Sequence, residues 1–406
     1  MVDVFLDGGC SFQHHGNRII IHRGGSNISL SDDMSRVIKA VAKHHDTGMI
    51  SESLRDAYGY TRPEIDQALS NLLDAGILRA TDDGRGIDGV DGMYYPMMVT
   101  LELCDACNFS CPFCYKEKGP RATYLPKETA FKVIDSLCAG TKRLELIGGE
   151  PTMHPDFDEI VGYANSRGMS VYLVTNGSRL SKLDAATMDG IASVQVSLYG
   201  LSAEEYEDNT GRDCFDSVMS GLGRLNDEGR NYTVSFTLSG PVDLDRLFSF
   251  LEDNSLKRVR FGFTFQTERS EEMPEETLQT LSYRILEASA AHPGIEVVTA
   301  PPEKESGVAG FSRETYFRTA SGSPSCDAFA VKLCISEEGR IKPCTSLPNE
   351  YSVPLDRMDA VIREGWVPGR ELFDGNPTII DHGCSILKRI IIDEGRTDEA
   401  RGGDHS

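Results

Sequence analysis

The chain has 406 residues, 39% of them hydrophobic and 26% charged, enough for two or three domains with their own cores. Lys and Arg number 41 against 63 Asp and Glu, a formal net charge of -22, which argues against nucleic acid or an anionic membrane as partner and suits a basic peptide or protein segment. No apolar run approaches membrane-spanning length and the N-terminus lacks the basic region and long apolar core of a signal peptide, so a cytoplasmic protein is expected, in which 11 cysteines, several tightly spaced, read as metal sites rather than disulfides.

The first region, residues 1–92, opens with short strands, the clearest at 17–22 with Ile19, Ile20 and Ile21 between glycine-rich turns. Ser31 is a plausible N-cap for a helix carrying Met34, Val37, Ile38, Val41 and Ala42 at helical spacing. Thr61 and Glu64 form a capping-box pattern ahead of Ile65, Ala68, Leu69, Leu72 and Leu73; Gly76 ends that helix and Ile77 and Leu78 begin a strand. Strands, three helices and a strand suggest a small winged-helix-like module or a structural cap. Residues 81–92, rich in Gly and Asp, read as a linker.

The second region, residues 93–269, alternates strand candidates at 99–103, 143–147, 171–175, 194–198, 234–238 and 259–263 with amphipathic stretches such as 130–138 and 215–225. Six βα units imply a parallel sheet, and the fold class is α/β, a partial, open (β/α)6 barrel with reactive residues at the C-terminal ends of its strands. The third region, residues 270–406, holds one long helix candidate at 276–291 and then irregular sequence with four cysteines.

Just after the first core strand comes Cys104-Asp105-Ala106-Cys107-Asn108-Phe109-Ser110-Cys111-Pro112-Phe113-Cys114-Tyr115, whose kernel is C-x3-C-x2-C. Three thiolates on one loop can hold three irons of a 4Fe-4S cubane and leave the fourth open; the spacing alone would also serve zinc. Cys104, on the strand with Glu102, reads as structural, as do Cys10, Cys138 and Cys214. The next three strands end in Gly148-Gly149-Glu150-Pro151, Thr175-Asn176-Gly177 and Ser197. Glycines permit close backbone approach and a carboxylate accepts from an ammonium, although Asn-Gly is also ordinary turn chemistry.

With these four motifs registered on successive strands, the chain resembles the radical S-adenosylmethionine (SAM) superfamily. The resemblance implies that Cys107, Cys111 and Cys114 ligate the cluster, that Gly148, Gly149 and Glu150 contact the methionine amino group of S-adenosylmethionine, and that Thr175, Asn176 and Ser197 line its adenosyl and ribose pocket. The N-terminal region is similar, by topology only, to peptide-recognition modules fused to radical enzymes that modify peptides. Tyr115, next to the last cluster cysteine, is either a packing aromatic or a phenolate able to occupy the open iron when the cosubstrate is absent.

Cys326, Cys334, Cys344 and Cys384 form a second constellation. Cys326, Gly339 and Cys344 resemble the C-x12-G-x4-C start of SPASM and Twitch domains, which carry auxiliary iron–sulfur clusters, but the later cysteine motifs are missing. Strands at 331–336 and 341–344 read as a hairpin that brings Cys334 near Cys344. Four thiolates suffice for zinc, a single iron or one cluster, with buried free cysteines as the alternative.

Over nearly its full length the chain resembles the methanogenesis marker protein 10 family, on the opening Phe5-Leu6-Asp7-Gly8-Gly9-Cys10-Ser11-Phe12-Gln13-His14-His15-Gly16, the Cys107–Tyr115 motif and the cysteine-bearing third region. That family implies a cobalamin-dependent radical methyltransferase that C-methylates an arginine in the alpha subunit of methyl-coenzyme M reductase. In it one S-adenosylmethionine methylates reduced cobalamin and a second yields the radical that activates the arginine carbon, with electrons from an external donor. The Asp-x-His-x-x-Gly cobalamin motif of most such enzymes is absent, so the cobalamin contacts are expected after residue 270 with no residue named. A guanidinium needs a planar anionic partner, and Asp156 is placed to be one or to cap the helix that follows it. The runner-up is a radical maturase that forms thioether or carbon–carbon links in a ribosomal peptide; a winged-helix, iron–sulfur DNA-binding regulator fits the acidic charge poorly.

Overall fold

Alternation of aliphatic and polar residues in short runs, broken by helix-length amphipathic stretches, produces two packed units in the computed structural model, which describes residues 3–23, 26–114, 116, 121–238, 242–263, 275–299, 332–342, 345 and 352–365. The first unit comprises β1 (Phe5–Leu6), β2 (Ser11–His15), β3 (Arg18–Arg23), β4 (Ser26–Ser29), α1 (Asp32–His44), α2 (Thr47–Tyr58), α3 (Arg62–Asp74), β5 (Leu78–Arg79) and β6 (Ile87–Asp88). Its helices start where the side chains dictate. Ser31 accepts from the Met34 amide at the head of α1, and Glu64 accepts from the Thr61 amide at 2.8 Å in the expected capping box of α3. Gly76, at φ +63°, closes α3 with its amide on the Leu73 carbonyl and that of Ile77 on Leu72. Phe12, Ile19, Ile21, Ile38, Ile50, Leu54, Ile65 and Leu69 form a core of their own. The linker expectation for residues 81–92 is corrected in part: Ile87–Asp88 pairs in parallel with β2 and gives a sheet of order β4-β3-β2-β6. Ile87 packs on the module's core, a long-range reward that outweighs the surrounding glycines and aspartates.

The second unit runs β7 (Met98–Glu102), α4 (Lys127–Leu137), β8 (Arg143–Ile147), α5 (Phe157–Ser166), β9 (Ser170–Thr175), α6 (Ala185–Asp189), β10 (Ile191–Leu198), α7 (Ala203–Thr210), α8 (Phe215–Asp227), β11 (Tyr232–Leu238), α9 (Leu244–Asp253), β12 (Arg258–Phe263), α10 (Glu275–Ala291) and β13 (Glu296–Thr299). β7 to β13 are adjacent in chain order and all parallel. The six expected strands lie where the sequence puts them; β13 is a seventh, too short and too acidic at its start to announce itself. Val99, Leu101, Leu144, Leu146, Leu173, Val196 and Val234 pack against Val133 and Ile134 of α4, Ile160 of α5 and Leu222 of α8, each such burial being favourable by about 2 kcal/mol. Thr100, Glu102, Glu145 and Gln195 alternate with them and point away from the helices.

Three further strands, β14 (Lys332–Ile335), β15 (Arg340–Lys342) and β16 (Val353–Pro354), and a short helix, α11 (Met358–Glu364), follow. The hairpin expected around Gly339 exists, pairing Cys334 with Lys342. It is not separate from the core: β14 runs parallel to β7 with Cys334 opposite Thr100, and it covers an edge that would otherwise expose unpaired backbone. Among the described residues no helix is long and apolar enough to cross a membrane.

Candidate active site

The cysteine loop leaves the end of β7 and returns beside it. The Leu125 amide bonds the Leu103 carbonyl at 2.8 Å, and the Thr123 amide bonds Asp105 Oδ1 at 2.7 Å, closing the base of the loop. Halfway round, Phe109 is fully buried and meets Tyr199 and Tyr206 edge-on at centroid distances of 5.9 and 6.4 Å. Phe113 lies 5.7 Å from the Tyr199 ring, and the Ser110 amide bonds the Thr210 carbonyl at 2.8 Å. Cys107 and Cys114 are half-buried and Cys111 is buried; none is in a disulfide. Cys107 Sγ accepts from the Phe109 amide at 3.4 Å and from Asn176 Nδ2 at 3.9 Å, the donor pattern that steadies a thiolate on iron. Among the described residues no three His, Cys, Asp or Glu side chains converge on one point; a cubane asks for no such convergence, since each thiolate takes a different iron. Three cysteine thiols on one loop are the kind of donor set that a 4Fe-4S cluster takes.

Gly148 and Gly149 are required by the loop itself. The Gly149 amide bonds the Cys104 carbonyl at 2.6 Å and the Glu150 amide bonds that of Ala106 at 2.7 Å, so the turn after β8 lies flat against the root of the cysteine loop. A Cβ on Gly149 would sit 2.6 Å from the Asp105 carbonyl oxygen and still nearer that of Ala106. Gly148, at φ +152°, would bring one to 3.0 Å from the Cys104 amide nitrogen. Any side chain here would push the loop away.

Glu150 has no exposed surface. Its Oε1 accepts from the Thr152 amide at 3.1 Å, the Thr152 hydroxyl at 2.6 Å and the Thr175 hydroxyl at 2.8 Å, while Oε2 accepts from the Asn176 amide at 2.8 Å. The carboxylate thus ties the β8 turn to the end of β9, with its donors drawn from the protein. Burial pushes its pKa up, and the four donors oppose that shift. Asn176 in turn donates to Asn108 Oδ1 at 2.9 Å and accepts from the Ser178 hydroxyl at 2.7 Å, while Asn108 donates to Ser178 Oγ at 2.9 Å. Ser197, near the end of β10, hydrogen-bonds Tyr199, whose burial raises its pKa and keeps it a phenol. Cys104, read as structural, donates to the Ala106 and Glu150 carbonyls at 3.4 Å each.

The structure thereby brings Cys107, Cys111, Cys114, Gly148, Gly149, Glu150, Thr175, Asn176 and Ser197 to one end of four adjacent strands. Sequence reasoning missed Asn108, Thr152, Ser178 and Tyr199. Asn108 lies inside the cysteine motif and Ser178 directly follows Thr175-Asn176-Gly177, a positional signal; Tyr199 carried none. His154, also missed, is buried and bonds the Leu125 carbonyl through Nε2 at 2.8 Å.

Asp156 precedes α5, yet its side chain makes no cap bond; it pairs with Lys127 at 3.2 Å. Tyr115, Cys326, Cys344 and Cys384 lie outside the described residues. Cys334 is buried on the face away from the helices, near Glu102 and Lys342, and burial raises its pKa, which favours the thiol. The stretch expected to hold cobalamin is described only at 275–299, 332–342, 345 and 352–365.

Residues 101–252 match the radical SAM superfamily. A GTP 3',8-cyclase of Pasteurella multocida is 31% identical over 193 residues, 45% of this chain and 56% of that protein. Mycofactocin maturase MftC of Mycolicibacterium smegmatis is 32% identical over 192 residues, 46% of each chain. The chain thus spans about half the length of these curated relatives. Among solved structures, Streptococcus suis SuiB bound to precursor peptide SuiA has a TM-score of 0.61 at 16% identity, covering 84% of this chain and 83% of that one. These likenesses agree with the loop and turn geometry: residues 101–252 resemble the radical SAM superfamily, and the chain shares the α/β fold of SuiB.

Proposed function

We propose that this chain is a radical SAM enzyme that modifies an arginine-bearing peptide or protein segment, and that the modification is C-methylation. The observation that carries the radical chemistry is the cysteine loop: three thiols on one loop, backbone-bonded to the turn at Gly149 and Glu150. A bound 4Fe-4S cluster with S-adenosylmethionine supplies a 5'-deoxyadenosyl radical. The chain's own residues then have defined work. Cys107, Cys111 and Cys114 hold the metal, Gly148 and Gly149 keep backbone close to the loop, and Glu150 fixes the Thr175–Asn176 backbone at the pocket wall. Ser197 and Tyr199 close the side next to Phe109 and Phe113, which excludes water.

A peptide substrate is supported by the likeness to SuiB, a protein solved with a precursor peptide bound, which extends beyond the radical domain to 84% of this chain. The net charge of -22 suits a basic segment. Methyl transfer, cobalamin as methyl carrier, and the alpha subunit of methyl-coenzyme M reductase as target rest on the sequence resemblance to the methanogenesis marker protein 10 family. Within this reading Asp156 is the guanidinium partner, released from Lys127 when substrate enters; Tyr115 is the occupant of the open iron before the cosubstrate; and Cys326, Cys334, Cys344 and Cys384 hold a second metal, iron or zinc. The second reading, a maturase that crosslinks a ribosomal peptide, is favoured by the similarity to mycofactocin maturase MftC.

The reduced protein, incubated anaerobically with S-adenosylmethionine, cobalamin and an arginine-bearing peptide, separates the two. Methylation replaces one hydrogen by a methyl group in the peptide mass; crosslinking removes two hydrogens. Formation of 5'-deoxyadenosine with neither change rejects both substrates while leaving the radical chemistry in place, and no deoxyadenosine at all rejects the radical reading.

A further inference from the structure

Glu102 is the last residue of β7, the strand that feeds the cysteine loop, and only 1% of it is exposed. Two ammonium groups face its carboxylate. Lys116 Nζ, two residues beyond Cys114, lies 3.2 Å from Oε1, and Lys342 Nζ on β15 lies 3.0 Å from Oε2. Lys116 and Lys342 are themselves 8% and 5% exposed. Lys116 also reaches Glu337, in the turn between β14 and β15, at 2.7 Å. Two lysines and two glutamates thus form a neutral, nearly dry network whose members come from the core strand, the cysteine loop and the hairpin.

Buried charges are costly to desolvate, and removal of one partner leaves the others exposed to that cost. The network therefore holds its members in one arrangement. The cysteine loop has other anchors, among them the backbone pairing at its base, the Ser110–Thr210 backbone bond and the packing of Phe109 and Phe113 against Tyr199. Those within the loop precede the third cysteine; among the described residues they do not fix the chain immediately after it. Lys116 does, and one of its two carboxylate partners, Glu337, lies outside the matched residues 101–252.

We propose that Lys116 is a positioning residue for the cluster loop and that Glu337 holds it in place, so that the β14–β15 hairpin is a working part of the radical site. The inference rests on the reading of the loop as a cluster site. Lys342 shares Glu102 and, among the described residues, bonds Glu102 and the Thr345 carbonyl but no residue between Cys104 and Lys116, which makes it the control for a role in stability alone.

The test uses the full chain with its cluster reconstituted anaerobically, comparing wild type with Glu337→Gln, Lys116→Met, the double variant and Lys342→Met. Three quantities are read: the rate of iron loss to a chelator, the EPR spectrum of the reduced cluster with and without S-adenosylmethionine, and the thermal midpoint. Glu337→Gln and Lys116→Met are expected to lose iron about tenfold faster than wild type, with altered EPR line shape, and the double variant no faster than the worse single one. Lys342→Met is expected to lower the thermal midpoint and leave iron loss and EPR unchanged. Wild-type iron loss and spectrum in folded Glu337→Gln overturn the proposal, as does acceleration by Lys342→Met equal to that by Glu337→Gln. A wild-type protein that takes up no cluster overturns the underlying reading instead.

Discussion

The N-terminal module and the rim of the parallel sheet are held together by different means. In the module, helix ends are set within a few residues: Ser31 on Met34, Glu64 on Thr61, Asp46 on Met49. At the rim, the bonds that matter join residues far apart in the chain: Gly149 to Cys104, Glu150 to Asn176, Lys116 to Glu337. The first kind of contact tolerates change one residue at a time, whereas the second makes several strands depend on one side chain. A stable module and a demanding rim should therefore respond differently to the same class of substitution.

The largest effect is expected from Cys111→Ala, which should abolish cluster absorbance and deoxyadenosine formation while the far-ultraviolet circular dichroism is retained, since a small buried thiol is replaced by a small apolar group. Glycine substitutions sharpen the contrast next. Gly149→Ala should destabilise by about 4 kcal/mol or more in denaturant unfolding, because its Cβ must displace backbone, whereas Gly162→Ala, on α5 with nothing within 4 Å, should stabilise by about 0.5–1 kcal/mol. Equal responses at the two sites would contradict the packing described for the rim. Glu150→Gln should cost about 1–3 kcal/mol, as an amide group replaces one carboxylate oxygen among four donors, and should weaken S-adenosylmethionine binding through Thr175 and Asn176. In the module, Thr61→Ala should cost about 1 kcal/mol with no change in the cluster's EPR spectrum.

The last effect is a pH dependence, confined to alkaline solution. Burial raises the Cys104 thiol from 9.0 to about 12, so the folded state holds this proton more tightly than the unfolded chain does. Its contribution to stability is complete below pH 9 and is lost as pH rises toward 12. Thermal midpoints measured across that window should fall less steeply in Cys104→Ala than in wild type.

Much of this was legible in the sequence, for reasons particular to each element. The core strands are short runs of alternating apolar residues buried against helices, and that period locates 143–147 and 259–263. β13 and β6 were not legible, because a two- to four-residue strand is stabilised by its neighbours rather than by its own composition. The spacing of Cys107, Cys111 and Cys114 suits zinc as well, and pointed to iron only together with the motifs that end the next three strands. The pair Gly148 and Gly149 read as room for a cosubstrate; in the fold the backbone of residues 104–106 lies against them. Glu150 read as a carboxylate offered to an ammonium, and its four donors are Thr152, Thr175 and Asn176.

What the sequence determined by itself is therefore whatever depends on neighbours within one turn or one strand: helix caps, strand periods and the cysteine spacing. The tertiary structure alone decided which distant groups meet. It set Lys116 between Glu102 and Glu337, and Glu150 between two loops, because a buried charge or carboxylate must find its partners wherever the fold delivers them, and no local pattern records that address.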